Sequence, residues 1–578
     1  MKKDYFIPKM FYRMLVPALI SSMGFAFSDV ADAFVVGRRM GEPGLAAISL
    51  CLPIYMLMNI LMDGFGIGGG IRFSQQLGAN NEKEANLCFN RIWKAALVSG
   101  VLFAVLGNVF APQILMVLGA EPKGSTIYQA CEAYMRIISL GAPVMILNIV
   151  FLNFLRNDNN EVLAARGFLI GNITDLVLNI VLVLVFDLGT IGAGLSTVIG
   201  SIVAVCCYMP GIVGKKSNVI NIARTDIDIK QVSSCFRTGF SISVKNLFQF
   251  IFLLVVNRVM LSIGGEAFVA VFDIVYSASF FIIYLCDGTS DAAQPIVSAF
   301  AGEQSEEDCR RVRTIANKYA ILLGGIVAAF IFIFAKYVAL FFGISEAGFD
   351  ETVRGIRIYC LGFAFIALNT IMSRYCQAKE ENNGAFFDVL LRNFLIAIPS
   401  VLLFYFLGGS KYIWYAFPVS EFLSFVIFLI YYCITEKKRV RFDESRVIHI
   451  SMSGADTEIS SLLDKCDKFC DKWGAKENQK YYVMLVIEEI VASIIRNALV
   501  NIPDGKIRIT LIAMENGDFS LHLLDNAVKF NPLSSQVKNK NGELDFDIDE
   551  ISLLLIKKKV KKYLYRQCTG FNSLIVQI

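Results

Sequence analysis

Asp29 and Asp32 stand in one long apolar run and Asp63 stands in the next, all within residues 17–78. Each run is long enough to cross a bilayer core, which takes roughly 20 residues. A carboxylate inside a spanning helix is costly unless it faces a cavity or a partner. Removal from water disfavours the charged form, so such a group can take and release protons near neutral pH. Asp32 follows Pro17 in the same run, and proline deletes a backbone hydrogen bond and permits a kink. Asp175 and Asn179 are four residues apart in a further apolar run and share one helix face. Asp63-Gly64 and Asp287-Gly288 form a matched pair, and Asp291 lies four residues beyond Asp287. The chemistry on offer is reversible neutralisation by a proton or a small cation. The plainer reading is an acid at a helix end reaching water, or one that caps a helix or pairs with arginine.

Twelve apolar spans position these groups: 11–36, 46–71, 90–118, 130–155, 163–186, 190–213, 238–263, 268–298, 314–342, 354–378, 385–407 and 412–434. The first two flank a short loop at Arg38–Glu42. The chain is 55% hydrophobic with a mean hydropathy of +0.57, and 18% of it is charged. A soluble protein carries about 25% charged residues. The apolar excess lies before residue 436, so one chain holds a membrane part and a soluble part. A net charge of +4 is too small to argue for nucleic acid. The 14 cysteines are scattered without a CxxC pair, which gives no zinc or redox motif. The first apolar run is too long for a signal-peptide core and reads as an uncleaved first helix.

Lys and Arg concentrate at the N-terminus (Lys2, Lys3, Lys9, Arg13), in the even-numbered connections and after the last span (Lys437, Lys438, Arg439, Arg441). By the positive-inside rule both termini are cytoplasmic. The two halves of the membrane part repeat. Gly41-Glu42 corresponds to Gly265-Glu266 and Asp63-Gly64 to Asp287-Gly288, both at 265 − 41 = 287 − 63 = 224. Gly78 with Gly302 and Gly119 with Gly343 keep that offset, and Arg166-Gly-Phe-Leu-Ile answers Arg392-Asn-Phe-Leu-Ile. Six helices per half insert both halves the same way up, with a substrate site between or within them. The expected fold is therefore an all-α polytopic membrane protein of twelve transmembrane helices in two parallel six-helix repeats, followed by a soluble α+β domain. The N-lobe is 1–220, the C-lobe 221–435, a charged linker 436–445 and the soluble domain 446–578.

The membrane part resembles MATE (multidrug and toxic compound extrusion) transporters over residues 8–435. The residues that carry the likeness are Pro17, Asp32-Ala-Phe-Val-Val-Gly-Arg, Gly41-Glu42, Leu45-Ala46-Ala47 and Gly68 to Gly78-Ala79. Gln294-Pro295-Ile296 and the set Arg392, Pro399, Trp414, Pro418 and Glu421 extend it. The resemblance implies that protonation of Asp32, or sodium binding at Asp32 and Asp175, bends helix 1 at Pro17. It also implies that Tyr134 and Thr197 line the N-lobe acids. Related proteins place Asn before Asp in the fifth helix, whereas here Asp175 precedes Asn179. Asp273 and Lys245 are further polar residues in the C-lobe that can pair.

Within 446–578, residues 447–451 read as a strand and 456–473, 477–500 and 549–562 as helices. Residues 506–514 with 519–524 read as a hairpin around Glu515-Asn516-Gly517-Asp518, and the last 15 residues as a second hairpin. This segment resembles the anti-sigma-factor-like branch of GHKL ATP-binding domains through Glu488-Glu489 to Asn497-Ala, Leu524-Asp525 and Phe530-Asn531-Pro532. By that resemblance Glu489 and Ser493 stand at the magnesium-binding Glu and Asn positions, and Asp525 at the adenine-reading acid. Ser493 replaces the asparagine, Ala527 replaces a glycine, and the glycine-rich lid near 542–553 keeps only Gly542. These losses imply a degenerate nucleotide site and a regulatory or partner-binding role. ATP is not expected to bind.

The reading at this stage is a secondary active antiporter and not an enzyme. It sits as a monomer in the plasma membrane and exports amphipathic cationic small molecules against protons or sodium. No cofactor and no structural metal are expected, and a cytoplasmic regulatory protein is the expected partner of the C-terminal domain. The alternatives are a lipid or glycan flippase of the same superfamily and a membrane sensor signalling through its C-terminal domain.

Overall fold

The computed structural model describes residues 5–79, 81–117, 126–158, 160–213, 219–223, 225–302, 305–341, 346–437, 444–453, 459–500, 502, 504–514, 516–534, 548–568 and 570–578. The side chains of 25–34 and 36–50, Asp29 and Asp32 among them, lie outside the described residues, as does Gly542. The chain divides into two compact units, one of residues 11–434 and one of residues 1–10 with 435–578.

The larger unit is helical throughout. Its helices are α1 (Phe6–Gly78, which begins in the other unit), α2 (Glu82–Val109), α3 (Ala111–Val117), α4 (Thr126–Asn157), α5 (Glu161–Asn179) and α6 (Gly189–Ile212). The series continues with α7 (Ile229–Ser243), α8 (Lys245–Gly302), α9 (Glu306–Ile333), α10 (Ala335–Phe341), α11 (Glu346–Cys360) and α12 (Phe363–Ala378). It closes with α13 (Asn382–Leu390), α14 (Ala397–Gly408) and α15 (Ala416–Lys437). Among the described residues ten helices are long and apolar enough to cross a membrane, or eleven when the pair Gly348–Cys360 and Phe363–Ala378, bent by 49°, counts as one span. Only helices satisfy every backbone group inside lipid, so long apolar runs fold this way.

Two expected boundaries change. The loop at Arg38–Glu42 lies inside the helical stretch Phe6–Gly78. The corresponding turn of the second half is also short, since α8 runs through a break of only Gly264 and Gly265. Gly265 has φ +66°, a left-handed conformation that glycine adopts at little cost. The span expected at 238–263 is divided, because α7 ends at Ser243 and α8 starts at Lys245. α7 packs backbone to backbone on α1: a Cβ on Gly239 would land on the carbonyl of Gly64, and one on Gly68 on the carbonyl of Cys235. Small residues permit that approach where lipid supplies no hydrophobic drive between helices. Two spans carry a π-helical segment, Ile180–Val185 after α5 and Leu391–Leu395 after α13.

The smaller unit is α+β. Strands β1 (Val447–Ser453), β2 (Lys506–Ala513), β3 (Phe519–Asp525), β4 (Lys562–Cys568) and β5 (Phe571–Gln577) form one antiparallel sheet in the order β1-β2-β3-β5-β4. Helices α16 (Ile459–Lys472), α17 (Glu477–Ala498) and α18 (Ile548–Lys559) complete it. Ile507, Ile509, Leu511, Leu521 and Leu523 are fully buried, as are Val483, Ile487, Ile490 and Val491 of α17. The α17 set recurs every three or four residues, which puts it on one face against the sheet. Both hairpins and all three helices stand close to where the sequence puts them. The start of α1 belongs to this unit as well. Phe6 meets the Phe571 ring edge-on at 5.5 Å, and Lys506 Nζ lies 4.0 Å from the centre of the Tyr5 ring.

Candidate functional site

α1 and α5 run side by side in the first half. A Cβ on Gly24 of α1 would lie 3.1 Å from Asn172 Nδ2 and 3.9 Å from Phe168 of α5. Further along, Val35 of α1 is buried with Val183 and Ala193. Asp32 lies between Gly24 and Val35, and Asp175 and Asn179 lie between Asn172 and Val183. The two contacts thus put the Asp32 backbone level with the Asp175–Asn179 face. Asp175 is 7% exposed and Asn179 fully buried. α6 closes this side, since a Cβ on Gly200 would sit 2.9 Å from Asp175 Cβ. Tyr134 packs on the Val35–Val183–Ala193 cluster. Thr197 Oγ1 donates to the Ala193 carbonyl at 3.2 Å. α1 stays helical through Pro17, whose carbonyl accepts from Ser21 Oγ at 3.1 Å.

The matched acids Asp63 and Asp287 fall in a second cluster, built by α1, α4, α8 and α12. Asp291 accepts from Arg156 Nη1 at 2.9 Å and pairs with Arg374 Nη2 at 3.2 Å. Lys245 Nζ lies 3.9 Å from Asp287, and Asp273 is exposed, so Lys245 pairs with Asp287 and not with Asp273. Lys245 and Arg374 are the cations within range of Asp63. Three acids thus face three bases and the cluster is neutral. Around it, Arg72 Nη1 donates to both oxygens of Glu380 at 3.1 Å. Ser74 Oγ donates to the Pro295 carbonyl and Gln75 Nε2 to that of Ala378, each at 3.1 Å. These bonds tie the first half of the unit to the second at one end. The sequence marked Asp291, and Arg156 and Arg374 fall in the even-numbered connections rich in Lys and Arg, yet spacing alone does not pair residues 135 positions apart.

In the smaller unit Asp525 is 3% exposed. Its Oδ1 accepts from Ala527 N at 2.9 Å and from Asn572 Nδ2 at 2.7 Å. Asn572 Nδ2 also reaches the Val528 carbonyl at 2.9 Å, and Tyr565 Oη donates to Asn572 Oδ1 at 2.8 Å. The acid is already engaged by its own chain. Ser493 is buried and accepts from Asn497 Nδ2 at 3.3 Å, while Glu489 is half-buried one turn before it. Asn572 carries no signal in the sequence, because only the β3–β5 register brings it opposite Asp525.

The MatE family model matches residues 17–181 and again 241–403. The two matches start 241 − 17 = 224 residues apart, the offset of the repeat. Together they cover more than half of the chain, which therefore belongs to the MatE family: it is a multi-pass membrane transporter and not an enzyme. The chain is 23% identical over 439 residues to a Multidrug export protein MepA of Staphylococcus saprophyticus, covering 74% of this chain and 93% of the relative. It is 20% identical over 438 residues to the protein of that name from Staphylococcus aureus, covering 75% and 95%. Among solved structures it matches one described as the outward-facing conformation of a multidrug resistance MATE family transporter of the MOP superfamily. That match has a TM-score of 0.71 at 20% identity and covers 74% of this chain and 96% of that one.

Two outcomes follow from the charges. Asp291→Ala strands Arg156, whose side chain is 7% exposed, and breaking a buried pair in this way costs about 3–5 kcal/mol. Thermal melting of the purified full-length protein should show a clear loss, with Asp291→Glu much milder. Burial pushes the Asp525 carboxyl up to about 6 despite its two hydrogen bonds, against about 3.9 in an unfolded chain. The native state therefore holds a proton that the unfolded state has released. The stability this contributes is present below about pH 4 and is lost as pH rises through about 6. Hydrogen exchange of β3 and β5 should become faster over that window, and Asp525→Asn should flatten the dependence.

Proposed function

We propose that the chain is a secondary active antiporter that exports amphipathic, cationic small molecules in exchange for protons or sodium by alternating access. The observation that carries this reading is the α1–α5 packing, which sets the buried Asp175–Asn179 face level with Asp32. Asp32 takes the coupling ion, with Asp175 and Asn179 as its neighbours and Tyr134 and Thr197 on the cavity wall. When sodium is the ion, Asp32 and Asp175 hold it. Pro17 allows helix 1 to bend as the charge on Asp32 is neutralised. Acids beside aromatic rings suit organic cations through charge and cation–π attraction. The MepA relatives, multidrug export proteins by name, support the substrate class. The neutral cluster around Asp63, Asp287 and Asp291 serves as the closure at the cytoplasmic end of the two lobes.

Twelve transmembrane helices in two six-helix lobes, 1–220 and 221–435, carry the transport, in a plasma-membrane monomer with both termini cytoplasmic. A charged linker, 436–445, leads to a GHKL-like domain, 446–578, which has lost ATP binding and regulates transport, alone or through a cytoplasmic protein. The engaged Asp525 supports that role, since an adenine amino group would have to displace Asn572.

The test is efflux of a fluorescent organic cation from proteoliposomes under an imposed proton or sodium gradient. Efflux should follow one of the gradients, and Asp32→Asn should abolish it while the protein still purifies as a folded monomer. Full activity in that variant would remove Asp32 from the mechanism.

A further inference from the structure

In the second half of the larger unit, α12, α13 and α15 enclose a polar cluster that the transport reading does not use. Arg392, in the π-helical segment after α13, donates Nε and Nη2 to the two carboxylate oxygens of Glu421, each at 3.0 Å, and Nη1 to Thr370 Oγ1 at 3.4 Å. Asn369 Nδ2 donates to Glu421 Oε2 at 2.8 Å. Arg392 and Glu421 therefore neutralise each other in a two-pronged pair. Asp388, four residues before Arg392 on α13, is fully buried at 0% exposure, and its carboxylate oxygens make no hydrogen bond of ordinary geometry, with the Ser373 hydroxyl the donor that faces them. The groups that face it are Arg392, the Ser373 hydroxyl of α12 and Glu421 of α15, with the Cys376 thiol as a further neighbour. Asn369 Oδ1, one turn from Ser373 on α12, is a buried oxygen with no partner.

The charges do not balance. One guanidinium meets two carboxylates, and since it is paired with Glu421 the negative charge left over falls on Asp388. An isolated buried carboxylate is among the most costly arrangements in a protein, and inside a membrane it marks a binding function. We infer that Asp388 anchors a second monovalent-cation site in this transporter, filled by Na+ or by a proton, with Ser373 as its neutral oxygen neighbour. A single positive charge restores neutrality to the Arg392–Glu421–Asp388 set. Oxygen donors suit a hard cation. The site lies in the half of the chain opposite to Asp32 and Asp175, and its occupancy is a binding question separate from transport.

The test is thermal melting of the purified full-length protein in nanodiscs, wild type against Asp388→Asn. Na+ is compared with K+ at equal ionic strength, in mildly alkaline and mildly acidic buffer. The substitution keeps the shape and removes the uncompensated charge, so without Na+ in alkaline buffer the variant should melt no lower than wild type. For a sodium site, Na+ but not K+ raises the wild-type midpoint by about 1–3 °C and leaves the variant unmoved. For a proton site, acid raises the wild-type midpoint more than that of the variant, and Na+ does nothing. Equal responses of the two proteins to both treatments overturn the inference, because Asp32 and the other acids are common to both. Should Asp388→Asn fail to assemble, the wild type is treated with a carbodiimide, which attacks protonated buried carboxyls, and the modified peptide is mapped. Labelling at Asp388 that Na+ or alkaline buffer suppresses supports the site, and no labelling under any condition overturns it.

Discussion

Every charge inside an apolar helix bundle needs a counter-charge or an ion, and this constraint shapes the larger unit. Where the two halves meet at one end, Asp63, Asp287 and Asp291 stand against Lys245, Arg374 and Arg156. That set needs no outside ion, so it can hold the halves together. The Arg392–Glu421–Asp388 set does not balance, and Asp388 is fully buried. On α5 the buried Asp175 and Asn179 lie level with the Asp32 backbone of α1. On our reading, balanced sets make joints and unbalanced sets make places for a cation.

Much of this was legible in the chain. Apolar run length yields the spans, because nothing but a helix of that length satisfies its backbone in lipid. The 224-residue offset exposes the two halves, and the two family matches repeat it. In the smaller unit, alternation and an Asn-Gly turn mark the β2–β3 hairpin. What stayed hidden depends on the third dimension. The Arg38–Glu42 stretch reads as a loop by its charges but is helical. Lys245 has two acids within plausible reach by sequence, and only helix rotation selects Asp287 over Asp273. Asp388 looks like any polar residue near the start of a span until its burial and the Arg392–Glu421 pair beside it are seen together.

The smaller unit teaches the same lesson from the other side. Its sequence shows an acid at the position where a GHKL-like domain reads adenine, and the losses around it imply a degenerate site. In the sheet, Asn572 on β5 faces Asp525 on β3 and donates to its Oδ1. The same edge of this unit holds the first residues of α1 through Phe6 and Tyr5.

The central claim is that interior carboxylates hold a cation which the exported molecule displaces. The most direct measurement is ion release on substrate binding, by the purified full-length protein in detergent at equilibrium. An organic cation is added while a pH indicator follows protons and a tracer follows bound sodium. The account predicts release of one or the other in step with binding. An organic cation that binds tightly while neither protons nor sodium leave the protein would contradict it.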